Sequence, residues 1–253
     1  MEVRNKVEKA KKTKKIRRRL INILIVLLFL VGLALIFNKP IRNMLIAGNS
    51  NRYQVSNVTR KEIVKNQKAK ANFDFKKVSL VDFQSVFANE LNRQPLPVIG
   101  GISVPDLGIN LPIFRGVGNT SLLYGAGTMK ENDTMGQGNY ALAGHNMTGF
   151  TSDLSILFTP LTHAKVGMMI YVTDKANIYE YKLASINVVT PDHVEVIDNV
   201  PGKTEITLIT CYDEAATHRI VIHGTFEKKI AFSTAPQSIL KSFEVKYNQI
   251  KNM

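Results

Sequence analysis

The feature that most constrains this chain is an uncharged apolar run close to its N-terminus. Residues 20–37 read LINILIVLLFLVGLALIF, and Asn22 is the one polar side chain among these 18 residues. A helix needs about 20 such residues to cross the hydrocarbon core of a bilayer, and Lys39 can extend the run by reaching its ammonium to the interface. The run therefore predicts a transmembrane helix over residues 20–38.

Basic residues flank this run unevenly. Residues 1–19 contain ten Lys or Arg and two Glu, a net charge of +8, whereas Lys39 and Arg42 lie just after the run. Because cytoplasmic flanks are enriched in Lys and Arg, we expect a single-pass protein of the cell membrane, with residues 1–19 as a cytoplasmic tail and the rest extracellular. A cleaved signal peptide is the alternative, but the run exceeds the usual roughly 7–15 apolar residues and no clean Ala-x-Ala site follows.

The overall charge of +13 does not by itself indicate nucleic-acid binding. Outside the tail the chain holds 23 basic and 18 acidic residues, a net of +5. Since membrane topology explains the charge of the tail, no nucleic-acid partner is expected.

Two segments follow the apolar run before the sequence changes character. Residues 39–80 are polar with little apolar periodicity and predict an extracellular stalk or linker. Residues 81–93 predict an amphipathic helix that opens a folded domain over 81–253, with five apolar side chains near one face: Val81, Phe83, Val86, Phe87 and Leu91.

Short β-patterned runs broken by Gly, Pro, Asn and Asp begin at residue 95. About seven such runs in some 130 residues favour a mainly β barrel or sandwich over an α/β sheet. A closing helix is expected within 235–250, with Ile239, Leu240, Phe243 and Tyr247 facing the barrel. The predicted strands lie at residues 96–104, 109–114, 139–144, 167–173, 178–190, 205–211 and 218–226.

Cys211 is the one cysteine of the chain and ends a predicted strand. It is therefore a buried apolar residue, a reactive thiol or an intermolecular link. A nucleophilic cysteine needs an imidazole for proton transfer and a donor for the oxyanion. Arg219 begins the next predicted strand, so a hairpin would bring its fixed N–H donors to the same rim as Cys211.

Five histidines compete for the role of the imidazole. His145 follows an apolar strand and Gly144, a position at a strand end where functional residues are often found. The others are His163, His193, His218 and His223. Spacing alone leaves the choice among the five open.

The segments TLITC, with Arg219 downstream, LAGHNM and ISVPDLGINLPI together resemble the sortases, the cysteine transpeptidases that anchor proteins to Gram-positive cell walls. The similarity covers roughly residues 80–250, and the class A enzymes of streptococci and lactobacilli are the most similar branch. The resemblance implies an eight-stranded closed β-barrel with short helices. It also implies that Cys211 is the nucleophile, His145 the general acid/base, Arg219 the group that binds substrate and oxyanion, and Thr210 a substrate-site residue.

The implied reaction is cleavage of a Leu-Pro-x-Thr-Gly sorting signal between Thr and Gly. Surface proteins carrying this LPXTG signal would form a thioester on Cys211, which an amine of lipid II, the peptidoglycan precursor, then resolves. Two alternatives stay open from the residues: a membrane-tethered cysteine protease with water as acceptor, and a non-catalytic adhesion domain with Cys211 in its core.

No cofactor or metal is expected. In calcium-responsive relatives a loop before the catalytic histidine supplies three acidic side chains. The matching positions here are Lys130, Asp133 and Gln137. One carboxylate beside an ammonium is a poor ligand set for Ca²⁺, which takes six or more oxygen ligands. Glu131, Glu195 and Asp198 lie near enough in sequence or in a later loop to leave a weak site open.

Overall fold

A computed structural model describes residues 2–75, 78, 81, 83–92, 94–147, 156–213 and 215–246. The chain divides into two compact units, residues 1–41 and residues 42–253.

The N-terminal unit is dominated by one long helix, α1, over Glu2–Ile36. Residues Thr13–Ile36 form the one helical stretch in the described part of the chain that is long and apolar enough to cross a bilayer, and none of it is buried in protein. Leu20, Leu28 and Phe29 are each at least 60% exposed. The predicted apolar helix is therefore present, and it extends through the basic tail.

The second unit contains a closed eight-stranded barrel. Its spatial order is β1-β2-β3-β4-β7-β8-β6-β5, with parallel pairing at β2–β3 and β4–β7 and antiparallel pairing elsewhere. The strands are β1 Val98–Val104, β2 Ile109–Phe114, β3 Ala126–Thr128, β4 Asn139–Ala143, β5 Met169–Thr173, β6 Asn177–Val189, β7 Glu205–Cys211 and β8 Arg219–Ala231. The predicted mainly β barrel is confirmed.

Alternation along the strands separates two apolar layers. Inward side chains such as Ile102, Leu142, Leu208 and Ile222 are fully buried in the central core. On the outer face of β4, β7 and β8, a smaller cluster packs under the β6–β7 connection: Ala141, Ile197, Ile209 and Val221. This covered outer face lies beside the end of β7, where Cys211 is located.

Short helices surround the barrel: α2 Asn38–Arg52, α3 Arg60–Asn66, α4 Phe83–Leu91, α5 Asn119–Leu122 and α6 Gln237–Ser242. There are also single 3-10 turns at Val55–Asn57, Pro105–Leu107, Thr159–His163, Val194–Ile197 and Phe232–Thr234.

The segment expected to be a stalk differs most from its prediction. Ile46, Val55 and Ile63 are each at most 1% exposed and pack against the barrel, and a side chain on Gly101 of β1 would collide with Val55. Only a few apolar residues anchor this segment, too few to produce a visible period among its polar neighbours. The packing favours a folded unit that begins nearer residue 42 than residue 81.

The contacts of the first predicted helix need correction, and those of the second agree with the prediction where the structure describes them. In α4, Val86 is buried and Val81 before it is 4% exposed, but Phe87 and Leu91 are 45% and 71% exposed. The nine-residue helix α4 buries a narrower face than the predicted set of five apolar side chains would require. In α6, Ile239 and Phe243 are buried and Leu240 is partly buried, as predicted, while Tyr247 lies outside the described residues.

Candidate active site

Cys211 and Arg219 face each other across one strand pair. They are opposed residues at the end of the antiparallel β7–β8 ladder, whose register runs from Glu205 and Thr225 to this pair. Directly opposed residues of such a pair have Cβ atoms roughly 5 Å apart. The predicted hairpin therefore brings the thiol and the guanidinium to one rim of the barrel.

His145 reaches the same rim from the other side of β7. Strand β4 runs parallel to β7 with Ala143 paired to Ile209, and the Gly144 amide continues the ladder by donating to the Ile209 carbonyl at 3.1 Å. Two residues after Ala143 is His145, and two residues after Ile209 is Cys211. The parallel register thus places the histidine beside the cysteine.

Two side-chain hydrogen bonds hold these strand ends together. The Thr210 hydroxyl donates to the Gly144 carbonyl oxygen at 2.8 Å, and the Asn146 amide nitrogen donates to the Cys211 carbonyl oxygen at 2.7 Å. The first bond joins the residue before Cys211 to the residue before His145. The second joins Cys211 itself to the residue after His145. The family resemblance implies a substrate-site role for Thr210, whereas the first bond gives it a structural role, and the contact of Asn146 was not predicted.

Gly144 has a packing reason to lack a side chain. A Cβ atom there would lie 2.6 Å from the ring of Phe158, which is fully buried. The Phe158 amide also donates to the His145 carbonyl oxygen at 3.0 Å. The glycine therefore lets an aromatic ring pack directly behind the histidine.

The Arg219 side chain is held by its own loop. Its Nη1 donates to the carbonyl oxygens of Ala216 and His218 at 2.7 and 3.0 Å. Asp213 organises the same loop by accepting from the amides of Thr217 and His218 at 2.9 and 3.1 Å. Among the residues that the structure describes, these bonds engage only Nη1, so the N–H groups of Nε and Nη2 are the remaining donors of the guanidinium.

A cleft of about 750 Å³ opens over these residues. His145, Thr210, Cys211 and Arg219 line it together, and the β6–β7 connection supplies one wall from Thr190 to Ile197. Most other lining side chains are apolar, among them Val117, Leu122, Met129, Ile209 and Val221. An apolar groove with a few convergent polar groups is the usual form of a binding site for a peptide-sized ligand.

Burial sets the charge state of the thiol and the imidazole. His145 is 8% exposed, and burial lowers its pKa to about 4. Burial also raises the pKa of Cys211, with Arg219 opposing and Asp213 reinforcing that shift. Since burial disfavours the charged form of each group, the resting pair at neutral pH is a neutral thiol beside a neutral imidazole.

Comparison with known proteins identifies the family. The sortase domain model matches residues 102–227. Sortase A of Streptococcus agalactiae is 56% identical over 229 residues, which is 90% of this chain and 93% of that protein. Sortase A of Listeria monocytogenes is 36% identical and covers 88% of this chain and 95% of its own. The chain belongs to the class A sortases.

A solved sortase shows the same barrel. The structure of Listeria monocytogenes sortase A covers 59% of this chain and 99% of its own, with 39% identity and a TM-score of 0.53. The predicted resemblance is confirmed, and this sortase is a cysteine transpeptidase that anchors proteins to the cell wall. The adhesion-domain alternative is therefore set aside.

The other four histidines of this sortase have different surroundings. His223 lies on β8 with its Nδ1 3.0 Å from the Thr207 hydroxyl, and His218 packs edge-on against Tyr212. His163 ends a 3-10 turn. His193 lines the cleft, but its Nδ1 is 2.7 Å from a Glu195 carboxylate oxygen and its side chain is half exposed.

The loop over residues 128–139 has an ammonium at its centre. Lys130 Nζ donates to the Asn139 and Ile197 carbonyl oxygens at 2.6 and 2.7 Å and to Asn199 Oδ1 at 2.9 Å. Asp133 lies 3.3 Å from the same nitrogen. Across the described residues, no group of three or more His, Cys, Asp or Glu side chains is arranged to hold a metal ion.

Proposed function

We propose that Cys211, His145 and Arg219 carry out the transpeptidation on a Leu-Pro-x-Thr-Gly sorting signal. The observation that carries this assignment is the meeting of three strand ends: Arg219 is opposed to Cys211 across β7–β8, and the parallel β4–β7 register brings His145 to the other side. Thr210 and Asn146 tie the two sides together through short hydrogen bonds.

The first half-reaction forms a thioester. Cys211 Sγ attacks the carbonyl carbon of the Thr–Gly bond while the neutral His145 imidazole accepts the thiol proton. The C–N bond then breaks, and the imidazolium gives that proton to the departing glycine amine. The low pKa of His145, about 4, makes its imidazolium a strong acid for this second transfer.

Arg219 would stabilise the charge that develops between these steps. The tetrahedral intermediate carries an oxyanion, and donors fixed before the reaction stabilise such a charge at no reorganisation cost. Nη1 is held by loop carbonyls, so the guanidinium is oriented with Nε and Nη2 as the donors to substrate. Thr210, whose hydroxyl bonds Gly144, would shape the site for the sorting signal.

The second half-reaction transfers the acyl group to an amine of the cell-wall precursor lipid II. His145 accepts a proton from the attacking amine, the C–S bond breaks, and the imidazolium returns that proton to the Cys211 thiolate. Water would compete at this step. The apolar side chains of Val194, Val196 and Ile197 in the cleft wall would favour amine transfer by limiting hydration.

The membrane anchor is part of the same proposal. Residues 20–38 would span the membrane, the basic residues 1–19 would lie in the cytoplasm, and the catalytic unit would face the cell wall. The long exposed apolar helix α1 supports anchoring, and the strong basic excess before it supports the orientation.

Product analysis by mass spectrometry tests the catalytic assignment. The full chain in detergent micelles is incubated with a Leu-Pro-x-Thr-Gly peptide, with and without a glycyl amine. We expect ligated product with the amine and slow hydrolysis without it. Arg219→Lys should form at least tenfold less product, because lysine keeps the charge but lacks the forked donors. Unchanged product from Arg219→Lys would remove Arg219 from the oxyanion role.

A further inference from the structure

Charge is divided unequally within the part of the chain that follows the apolar run. Residues 39–80 contain ten basic and two acidic residues, a net of +8. Residues 81–253 contain thirteen basic and sixteen acidic residues, a net of −3. The cationic excess outside the N-terminal tail therefore belongs to the segment between the apolar run and the barrel, and the barrel itself is acidic.

Helix α3 and the turn that follows it display part of this charge as one face. Lys61, Lys65 and Lys68 are exposed and follow a spacing of four and then three residues, which places them on one side of the helical segment. Val64 lies between them and is 42% exposed, whereas Ile63 on the opposite side is fully buried. We call Lys61, Val64, Lys65 and Lys68 the lysine face.

The lysine face is fixed to the barrel. A capping box begins α3. At this end Arg60 forms an ion pair with Asp174 at 2.9 Å and donates to the Asp174 carbonyl at 2.8 Å. At the other end the Asn66 amide nitrogen donates to the Val98 carbonyl of β1 at 2.9 Å. Because both ends of α3 and its buried side are held, the three ammonium groups are presented together by a rigid support.

Topology sets this face apart from the catalytic cleft. Helix α3 packs on β1, and β1 is four strands from β7 in either direction around the closed barrel. Cys211 lies at the end of β7. The strands that carry the lysine face and Cys211 are therefore on opposite walls of the barrel, while the segment that follows α3 reaches the cleft through Phe75 and Val78.

We propose that the lysine face binds the phosphate groups of anionic phospholipids in the leaflet from which the chain emerges. This inference rests on the membrane anchor proposed above. The anchor would hold the face near lipid, since only 23 residues lie between Ile36 and Arg60, and charge complementarity selects anionic headgroups. Each lysine near such a surface contributes roughly fivefold to binding, and the acidic barrel is repelled from the same surface.

The consequence is a defined orientation of the catalytic unit. With the lysine face on lipid, the cleft would be held in one orientation to the bilayer. A sorting signal and an amine carried on a membrane-bound precursor would then meet Cys211 in a fixed geometry.

Tryptophan fluorescence can test this contact without background, because the chain contains no Trp. Val64→Trp places a single indole among the three lysines. The full chain is inserted into nanodiscs held by a scaffold that contains no Trp. Their lipids carry bromine, a contact quencher, and are either phosphatidylcholine or a phosphatidylcholine–phosphatidylglycerol mixture. We expect at least twofold stronger quenching in the anionic discs, reduced by about 0.5 M salt through screening. Val194→Trp in the cleft wall should stay unquenched in both.

Matched charge reversals separate the lysine face from net charge. One variant combines Val64→Trp with three charge reversals, Lys61→Glu, Lys65→Glu and Lys68→Glu. In this variant the quenching should no longer differ between the two lipid compositions. The control variant combines Val64→Trp with Glu at three other exposed lysines, Lys165, Lys182 and Lys203, which changes the net charge by the same amount. This control should keep the stronger quenching in anionic discs. Should Val64→Trp disturb the fold, hydrogen exchange of α3 in the wild-type chain replaces it, with slower exchange expected in anionic discs.

Each remaining outcome is informative. Equal quenching in both lipids, or none in either, would overturn the proposal. A response of the Val64→Trp fluorescence to soluble polyphosphate without lipid quenching would also overturn it and would identify a soluble polyanion as the ligand. Copurification of the chain with the discs is scored separately, so failure of the anchor is distinguished from failure of the lysine face.

Discussion

The hydroxyl of Thr210 donates a 2.8 Å hydrogen bond to the carbonyl oxygen of Gly144. Thr210 immediately precedes Cys211, and Gly144 immediately precedes His145, so one bond joins the strand ends that carry the proposed nucleophile and base. Thr210 is 2% exposed. A hydrogen bond shielded from water in this way fixes geometry strongly, because breaking it leaves a buried carbonyl without its partner.

Thr210→Val should therefore damage both stability and catalysis. Valine keeps the shape but removes the donor, so we expect a loss of about 1–3 kcal/mol in the free energy of unfolding. We expect kcat/KM of Thr210→Val to fall at least tenfold. Thr210→Ser keeps the hydroxyl donor and should retain most of the wild-type kcat/KM. Urea denaturation and transpeptidation kinetics measure the two effects, with the exposed Thr225→Val as control. Wild-type values for both quantities in Thr210→Val would show that the bond is dispensable.

Replacement of single histidines should separate His145 from the other four. Loss of a general acid/base typically costs about 100-fold or more in rate, so His145→Ala should be nearly inactive. The transpeptidation rate should fall far less when alanine replaces one of the other four: His163, His193, His218 or His223. His223 is the most informative comparison, because it is also partly buried and hydrogen-bonded. A large loss at His223 with a mild loss at His145 would show that His145 is the wrong imidazole.

The buried His145 should also make stability depend on pH. Its pKa is about 4 in the folded chain and about 6.5 when unfolded, so the unfolded chain takes up the proton first as pH falls. The His145 contribution to stability is fully present above about pH 6.5 and is lost progressively towards pH 4, by about 3 kcal/mol in all. Urea denaturation of wild type and His145→Asn between about pH 4 and 7 measures it. Parallel curves for the two proteins would contradict the burial.

Calcium should not affect this sortase. The Lys130 ammonium lies among the Asn139 and Ile197 carbonyls, the Asn199 amide and the Asp133 carboxylate, where it would repel a divalent ion. Transpeptidation rates should be equal in chelator and in millimolar calcium. A several-fold activation by calcium that disappears in Asp133→Asn would show that a site exists.

Strand periodicity and the family resemblance predicted most of the barrel, and the misses have physical causes. Strand β3 was not predicted because Ala126, Gly127 and Thr128 show no apolar alternation; it is a three-residue bridge between β2 and β4. The packing of residues 42–70 was missed because a few buried side chains, such as Val55 and Ile63, anchor an otherwise polar segment.

The residues of the proposed site and part of their geometry were predicted from the sequence. Cys211 and Arg219 were expected at one rim from their positions at strand ends, and their opposed register confirms that expectation. The parallel pairing of β4 with β7 brings His145 alongside, yet sequence periodicity does not reveal which strands pair. The supporting bond from Asn146 to the Cys211 carbonyl has no sequence signal either, since it depends on that same pairing.

Detection of the acyl-enzyme tests the central claim most directly. The full chain is mixed with a Leu-Pro-x-Thr-Gly peptide without amine, quenched in acid, and examined by intact and peptide-mapping mass spectrometry. We predict one Leu-Pro-x-Thr adduct on the Cys211 peptide, cleaved by hydroxylamine as a thioester is, transferred to an added amine, and absent from Cys211→Ala that remains folded. An adduct on another residue, or ligation that persists in Cys211→Ala, would contradict the account.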